Sequence, residues 1–364
     1  MISDKTPCQL VLEDGTVYRG FSFGARRPVS GEVVFNTGMT GYVESLTDPS
    51  YKGQILVLTY PLIGNYGVPR EVLQTGLLHP YESPEMNVLG LVVSSYQDMF
   101  SHHAATKSLG HWLRESRVPA ICGIDTRSLT RKLRECGTMR GTLCPGDGRA
   151  ELGPDSLDMK KLVSLVSNPG IDRFPAWGRK KGKTVLLVDC GAKHNIIRSL
   201  LRRGVDIIRV PYNHDFSVED FGADGILLSN GPGDPRHLPQ TAACLKEFMK
   251  NAKPLFGICL GHQLLALAGG GDVYKLPYGH RSQNQPVRSL DGRQCFITSQ
   301  NHAYAVDRNL IPAGFNEWFI NVNDESNEGL RHESKPWLGV QFHPEAYPGP
   351  LESGVLFDEF LSML

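Results

Sequence analysis

Between residues 184 and 268 the chain alternates short apolar runs with helix-like stretches. No other feature limits the fold as much. The spacing predicts strands over 185–188, 206–210, 225–228 and 254–258, and helices over 195–203, 239–250 and 261–267. Apolar runs of four or five residues suit strands buried on both faces. Strands that alternate with helices build a parallel sheet with helices on both sides. Further strands are predicted over 294–298, 318–322 and 337–342, and a closing helix over 351–364. The expected class is α/β: an open, mostly parallel sheet over residues 184–364, preceded by a smaller mixed α+β domain.

Strand 254–258 meets the next helix at Cys259, in Phe256-Gly257-Ile258-Cys259-Leu260-Gly261-His262-Gln263. A cysteine at so tight a turn, between small residues, holds its sulfur out as a nucleophile elbow does. The helix N-terminus behind it favours thiolate over thiol. Such a nucleophile needs a base and a group to orient that base. Both are found 84 residues downstream, in Gln341-Phe342-His343-Pro344-Glu345. The residue before a proline is held extended, and residues two apart in extended chain point the same way. His343 and Glu345 therefore project to one side, as a carboxylate holding an imidazole tautomer requires. Cys259, His343 and Glu345 form the expected catalytic triad.

Acyl transfer also needs oxyanion donors. The backbone N–H of Leu260 is one source. The loop Ser229-Asn230-Gly231-Pro232-Gly233-Asp234 is the other. It follows strand 225–228, at the sheet edge where open α/β folds bind ligands. His262 and His302 are read as packed or hydrogen-bonded histidines, and Asp234 as a turn cap. The other seven cysteines (8, 122, 136, 144, 190, 244 and 295) are read as unreactive.

Residues 1–145 hold Gly-punctuated strands, among them 10–12 and 54–58, and a helix capped by Asp125 or Thr126 that runs to Arg134. Its basic face, Arg127, Arg131, Lys132 and Arg134, is read as solvated. Residues 146–183 carry linker chemistry around one short helix, 157–166. Across 364 residues, 38 basic and 38 acidic side chains balance, which argues against a nucleic-acid binder. No apolar run is long enough to span a bilayer. Met1-Ile2-Ser3-Asp4-Lys5 shows neither a secretory nor a transit pattern, and no cysteine pair has C-x-x-C spacing. These features predict a cytoplasmic protein that binds no metal.

Together the runs GICLGHQ, QFHPE and SNGPGDP resemble the class I, or triad, glutamine amidotransferases. The first half is similar to the N-terminal domain of the carbamoyl-phosphate synthetase small (glutaminase) subunit. That likeness rests on Gly31-Glu32-Val33-Val34-Phe35-Asn36-Thr37-Gly38-Met39-Thr40-Gly41-Tyr42, Leu46-Thr47-Asp48-Pro49-Ser50-Tyr51, Thr59-Tyr60-Pro61-Leu62-Ile63-Gly64-Asn65-Tyr66-Gly67 and Gly123-Ile124-Asp125-Thr126-Arg127. The resemblance implies that Cys259 takes the side-chain amide of L-glutamine, releases ammonia and forms a glutamyl thioester that water hydrolyses. It implies glutamine contacts from Ser50, Gly231, Gly233, Leu260, Gln263, Asn301, Ala303 and Tyr304. At two of these the chain departs from the family's Gln-Asn-His-Gly-Phe segment, with Ala303 for glycine and Tyr304 for phenylalanine. Backbone contacts there require Ala303 to keep a negative φ. No phosphate-binding loop of the form G-x-x-x-x-G-K-[ST] occurs. ATP, Mg²⁺ and bicarbonate are therefore expected on a large synthetase subunit, in a hetero-oligomer, with no cofactor on this chain. Two alternatives are a glutaminase serving another synthase, which the N-terminal domain opposes, and a non-catalytic docking subunit, which the complete triad opposes.

Overall fold

The run at 54–58 is buried at every position. A strand reaches that state only where both faces of its sheet are covered. The structure, a computed structural model, describes residues 6–74, 76–146, 151–178, 182–218 and 221–364. The chain divides into two compact units, Met1–Met159 and Lys160–Leu364.

The first unit contains strands β1 (Pro7–Leu12), β2 (Val17–Ser22), β3 (Val29–Asn36), β4 (Gln54–Leu58), β5 (Val68–Pro69), β6 (Val72–Gln74), β7 (Leu77–His79), β8 (Gly90–Val93), β9 (Ala105–Lys107), β10 (Ala120–Cys122) and β11 (Met139–Pro145). Seven of them close into a barrel in the order β1-β11-β3-β4-β8-β10-β2. Closure leaves the barrel without an open sheet edge. Helices α1 (Tyr42–Thr47), α2 (Leu109–Glu115) and α3 (Thr126–Cys136) complete the unit. Asp125 caps α3 by accepting from Ser128 N at 2.9 Å. On the basic face of α3, Lys132 pairs with Asp14 at 2.5 Å.

Three of the N-terminal runs quoted above meet in this unit. Asn36 Nδ2 donates to the Tyr51 hydroxyl at 2.8 Å, and the Tyr42 hydroxyl donates to the Gly67 carbonyl at 2.6 Å. Tyr42 also stacks on Tyr66 with ring centres 4.0 Å apart.

The region expected as a linker is built into both units. Gly153 N donates to Thr142 Oγ1 and Ser156 N to the Ser30 carbonyl, both at 2.9 Å. The expected helix over 157–166 is only a 3₁₀ turn, Val163–Leu165. Residues 147–150 and 179–181, also assigned to the linker, lie outside the described residues.

The second unit contains β12 (Asp172–Phe174), β13 (Thr184–Asp189), α4 (His194–Arg202), β14 (Asp206–Pro211), β15 (Gly225–Leu228), α5 (Pro239–Phe248), β16 (Leu255–Ile258), α6 (Leu260–Ala268), β17 (Val273–Ser289), β18 (Cys295–Val306), β19 (Phe315–Asn321), β20 (Asn327–His332), β21 (Trp337–Val340) and α7 (Val355–Ser362). They form one ten-stranded sheet, β12-β14-β13-β15-β16-β21-β20-β19-β17-β18. Strands β14, β13, β15, β16 and β21 are parallel to one another. Beyond β21 the sheet continues antiparallel through β20, β19, β17 and β18.

Side-chain alternation assigns the helices to two faces. Leu255 joins the core cluster with Leu245 of α5 and Leu264 of α6. Its neighbour Phe256 turns the other way, onto Phe357 and Phe360 of α7 at 5.9 and 5.5 Å. Strand β17 escaped the sequence reading because Pro277 and Gly279 interrupt its pattern. The structure absorbs them at a register shift between Lys275 and His280, since a bulge tolerates a residue with no N–H to donate. The closing helix is shorter than expected and starts at Val355, after Pro348 and Pro350.

Candidate active site

Four parallel strands end on one edge of this sheet, and each delivers a polar segment there. At the end of β13 come Asp189 to Lys193, after β15 Ser229 to Gly233, after β16 Cys259, and after β21 Gln341 to Glu345. The carboxyl ends of parallel strands are where an open α/β sheet leaves room for a ligand.

A single residue separates β16 from α6, so Cys259 must reverse the chain alone. It does so at φ +53° and ψ −104°, a conformation that costs a side-chain-bearing residue about 1–3 kcal/mol. Two bonds hold it there. Its N–H donates to the Val340 carbonyl at 2.8 Å, and its own carbonyl accepts from Gln263 N at 3.1 Å. The helix must also come very close to β15: a Cβ on Gly261 would lie 2.3 Å from the Leu228 carbonyl oxygen. Glycine there lets the Leu260 N–H follow the cysteine directly.

The Cys259 sulfur is buried. It faces the Asn301 carbonyl at 3.8 Å and accepts from Gln341 Nε2 at 3.6 Å. His343 Nδ1 donates to Glu345 Oε1 at 2.7 Å. The remaining ring nitrogen, Nε2, is buried with no hydrogen-bond partner among the described residues. Burial works against the His343 imidazolium, but the adjacent Glu345 charge outweighs it and raises the pKa; Cys259 adds to the rise and Lys193 opposes it. Burial likewise works against the Glu345 carboxylate, and Lys193 and His343 overcome it, so that carboxyl is held below its ordinary range.

Lys193 was not singled out from the sequence. Its Nζ lies 3.0 Å from Glu345 Oε1, with both side chains nearly inaccessible. One carboxylate oxygen thus serves two cations. The loop carrying Lys193 is fixed by Asp189, which accepts from Gly191 N and Ala192 N at 2.8 and 2.7 Å, and by Asn230, which accepts from Lys193 N at 3.1 Å. The only sequence signal was position: this turn follows the first parallel strand of the sheet. Gln341 was passed over too, though it lies inside the QFHPE run. Its Oε1 accepts from Gln263 Nε2 at 3.0 Å, so the two glutamines form a chain that ends at the cysteine sulfur.

The other expected contacts are distributed as follows. Gly231 packs so tightly that a Cβ would lie 2.1 Å from the Cys190 carbonyl oxygen and 2.7 Å from Leu260 Cδ2, which sets its loop against the nucleophile turn. Gly233 follows at φ +86°. Gln263 also donates to the Tyr304 carbonyl at 2.9 Å. Asn301, Ala303 and Tyr304 lie along β18 beside Cys259, and Ala303 is not among the residues with positive φ. The Tyr304 ring lies under the Arg236 guanidinium, 5.6 Å from its centre, and Arg236 is in turn held by Asp234 at 2.7 Å. Ser50 belongs to the first unit, in a 3₁₀ turn where its N–H donates to Asp48 Oδ1 at 2.9 Å. His262 is a packed residue: it is buried, meets Asn327 Oδ1 at 3.1 Å, and burial lowers its pKa to about 3.

Both halves of the chain match known proteins. The family model for class-I glutamine amidotransferase matches residues 186–363. That for the CPSase domain of the carbamoyl-phosphate synthase small chain matches residues 10–143. The chain is 46% identical to the carbamoyl phosphate synthase arginine-specific small chain of Yarrowia lipolytica, over 99% of this chain and 83% of that one. It is 46% identical to multifunctional protein pyr1-3 of Dictyostelium discoideum over 99% of its own length, but spans only 17% of that protein. It is also 46% identical, over 98% of its length, to the mitochondrial carbamoyl-phosphate synthase (ammonia) of Aquarana catesbeiana, of which it spans 24%. With both of its halves matched and one relative of similar extent, the chain belongs to the carbamoyl-phosphate synthase small-chain family.

Proposed function

We propose that this chain is the glutamine-hydrolysing subunit of a carbamoyl-phosphate synthase. The observation that carries the reading is the grouping at the sheet edge: a buried cysteine on a strained turn, and an imidazole whose Nδ1 is tied to Glu345 at 2.7 Å while its Nε2 has no hydrogen-bond partner among the described residues. In the proposed reaction Cys259 Sγ attacks the amide carbon of L-glutamine. The Leu260 N–H and the Gly231–Gly233 loop stabilise the oxyanion. His343 Nε2 gives its proton to the departing nitrogen, so ammonia leaves and a thioester remains. The same nitrogen then takes a proton from the water that cleaves the thioester, and glutamate is released. Gln263 spends its amide hydrogens on Tyr304 and Gln341, which leaves its Oε1 to accept from the substrate; Asn301, Ala303 and Tyr304 border the same space.

ATP, Mg²⁺ and bicarbonate would be handled by a separate large synthetase subunit that receives the ammonia within a hetero-oligomer. A cytoplasmic location is supported by eight cysteines that are all free. No helix among the described residues is long and apolar enough to cross a membrane.

The decisive experiment measures glutamate and ammonia formed by the purified chain, with and without a large synthetase subunit, beside Cys259→Ser. Hydrolysis that rises with the partner and vanishes in the variant supports the reading. One observation favours a second reading, a docking subunit without glutaminase activity: the matched region also occurs in a synthase named for ammonia. Equal inactivity of wild type and variant, in a complex that still forms, would establish that reading instead.

A further inference from the structure

His302, inside the Asn301–Tyr304 segment, belongs to a second buried cluster that the hydrolytic reaction does not use. His280 on β17, His302 on β18 and Glu328 on β20 each offer one ligand atom, all within 4.8 Å of one another, and all three residues are buried. We infer that His280, His302 and Glu328 form a binding site for one divalent transition-metal ion of the zinc class.

Three observations carry this. First, each ring is anchored through the nitrogen that would not bind metal. His280 Nε2 lies 2.8 Å from Asp324 Oδ2, and His302 Nδ1 lies 2.8 Å from the Tyr304 carbonyl oxygen. A carboxylate or backbone carbonyl behind each imidazole is the usual outer shell of a metal-ligating histidine, fixing both tautomer and ring orientation. The two other nitrogens, His280 Nδ1 and His302 Nε2, are thereby aimed inward.

Second, Glu328 is fully inaccessible and its Oε2 has no hydrogen-bond partner among the described residues. Its Oε1 is attended by Asn321 Nδ2 at 3.1 Å and His280 Nδ1 at 3.5 Å, but a buried Oε2 left without a partner is costly, and a cation bound there removes that cost.

Third, the spacing suits a tetrahedron. Metal–nitrogen bonds of roughly 2.0–2.1 Å place neighbouring ligand atoms about 3.3 Å apart. Here Gln300 Oε1 is hydrogen-bonded to both inward nitrogens at 3.0 Å, and Glu328 Oε1, which also accepts from Asn321 Nδ2 at 3.1 Å, lies 3.5 Å from His280 Nδ1; a bound ion would take the place of the ring protons in these contacts. Gln300 supplies the fourth corner. Two imidazoles with oxygen donors suit zinc and its neighbours rather than calcium or magnesium. The half-exposed Asp324 side chain marks the route in from solvent.

Cysteine spacing cannot reveal such a site, because its ligands come from three strands and none is a thiolate. An ion here would tie β17, β18 and β20 together under the segment whose Tyr304 carbonyl also receives Gln263. This inference does not rest on the proposed glutaminase activity.

The test uses the full chain in a Cys259→Ser background, stripped with a chelator that is then removed. Co²⁺ serves as a spectroscopic probe and Zn²⁺ is counted by equilibrium dialysis. The expected result is one ion per chain with tetrahedral Co²⁺ bands, binding abolished in Glu328→Gln, and affinity lowered roughly 10–100-fold in Asp324→Asn. Asp324 sits at the mouth of the site, so its variant remains informative if Glu328→Gln fails to fold. Absence of saturable binding by the folded chain would overturn the inference. So would binding of undiminished strength in Asp324→Asn, or in a folded Glu328→Gln.

Discussion

Replacing Glu345 by glutamine removes one negative charge from beneath two buried cations. Glu345 Oε1 lies 2.7 Å from His343 Nδ1 and 3.0 Å from Lys193 Nζ. At an effective dielectric of about 20, a charge pair at such distances attracts by roughly 5–6 kcal/mol before desolvation is counted. Breaking a buried pair from one side costs about 3–5 kcal/mol net, because the remaining charge has no counter-ion. Glu345→Gln should therefore destabilise the second unit by about 3–5 kcal/mol, a fall in Tm of roughly 6–20 °C for a unit of about 200 residues. Adding Lys193→Met removes the stranded ammonium, so the double variant should be more stable than Glu345→Gln alone. A coupling of about 2–3 kcal/mol is expected, within the range seen for contacting residues. Differential scanning calorimetry with urea titration measures all four corners of the cycle. A double variant no more stable than Glu345→Gln would show that Lys193 bears no share of the Glu345 charge. The pH dependence has a defined sign. His343 is raised above its ordinary 6.5, so its contribution is complete below pH 6.5 and lost as pH climbs from there. Glu345 is lowered below its ordinary 4.5, so its contribution is complete above pH 4.5 and lost as pH falls from there. Both slopes should flatten in Glu345→Gln.

At Cys259, φ of +53° inverts the usual order of small residues. Cys259→Gly should be more stable than Cys259→Ala by about 1 kcal/mol, whereas glycine in ordinary extended or helical backbone is the weaker of the two; equal or lower stability would mean that the turn is unstrained. His262 is neutral down to about pH 3 while its unfolded counterpart protonates from 6.5. Stability is thus lost as pH falls below 6.5, by roughly 2–3 kcal/mol at pH 4.5. Urea titrations at pH 7 and 4.5 should find that dependence absent in His262→Gln, with glutamine hydrolysis retained at neutral pH. Gly261→Ala places a methyl group 2.3 Å from the Leu228 carbonyl oxygen. It should cost about 1–3 kcal/mol by thermal melt and lower kcat, because the Leu260 N–H moves with the helix.

Part of this site was legible because neighbours in sequence control it. His343 and Glu345 meet through two residues of extended chain around Pro344, and Cys259 is the whole connection between β16 and α6. Lys193 and Gln341 were missed for the opposite reason. Nothing near Lys193 in the chain shows that its ammonium will be buried against a carboxylate 152 residues away. Strand β17 was missed because its polar pattern is interrupted by Pro277 and Gly279, and its register with β18 shifts twice along its length.

By itself the sequence determined the alternation of buried strands and helices, the cysteine turn, the extended His-Pro-Glu segment and the family resemblance. Each depends on local backbone preference or on spacing of a few residues. Only the tertiary structure decided that seven N-terminal strands close into a barrel, that the parallel sheet continues through four antiparallel strands, that Lys193 shares Glu345 with His343, and that His280, His302 and Glu328 converge. These are contacts between residues far apart in the chain, chosen by which arrangement buries apolar faces while giving buried charges such as Glu345 their partners, and short-range spacing carries no record of that choice.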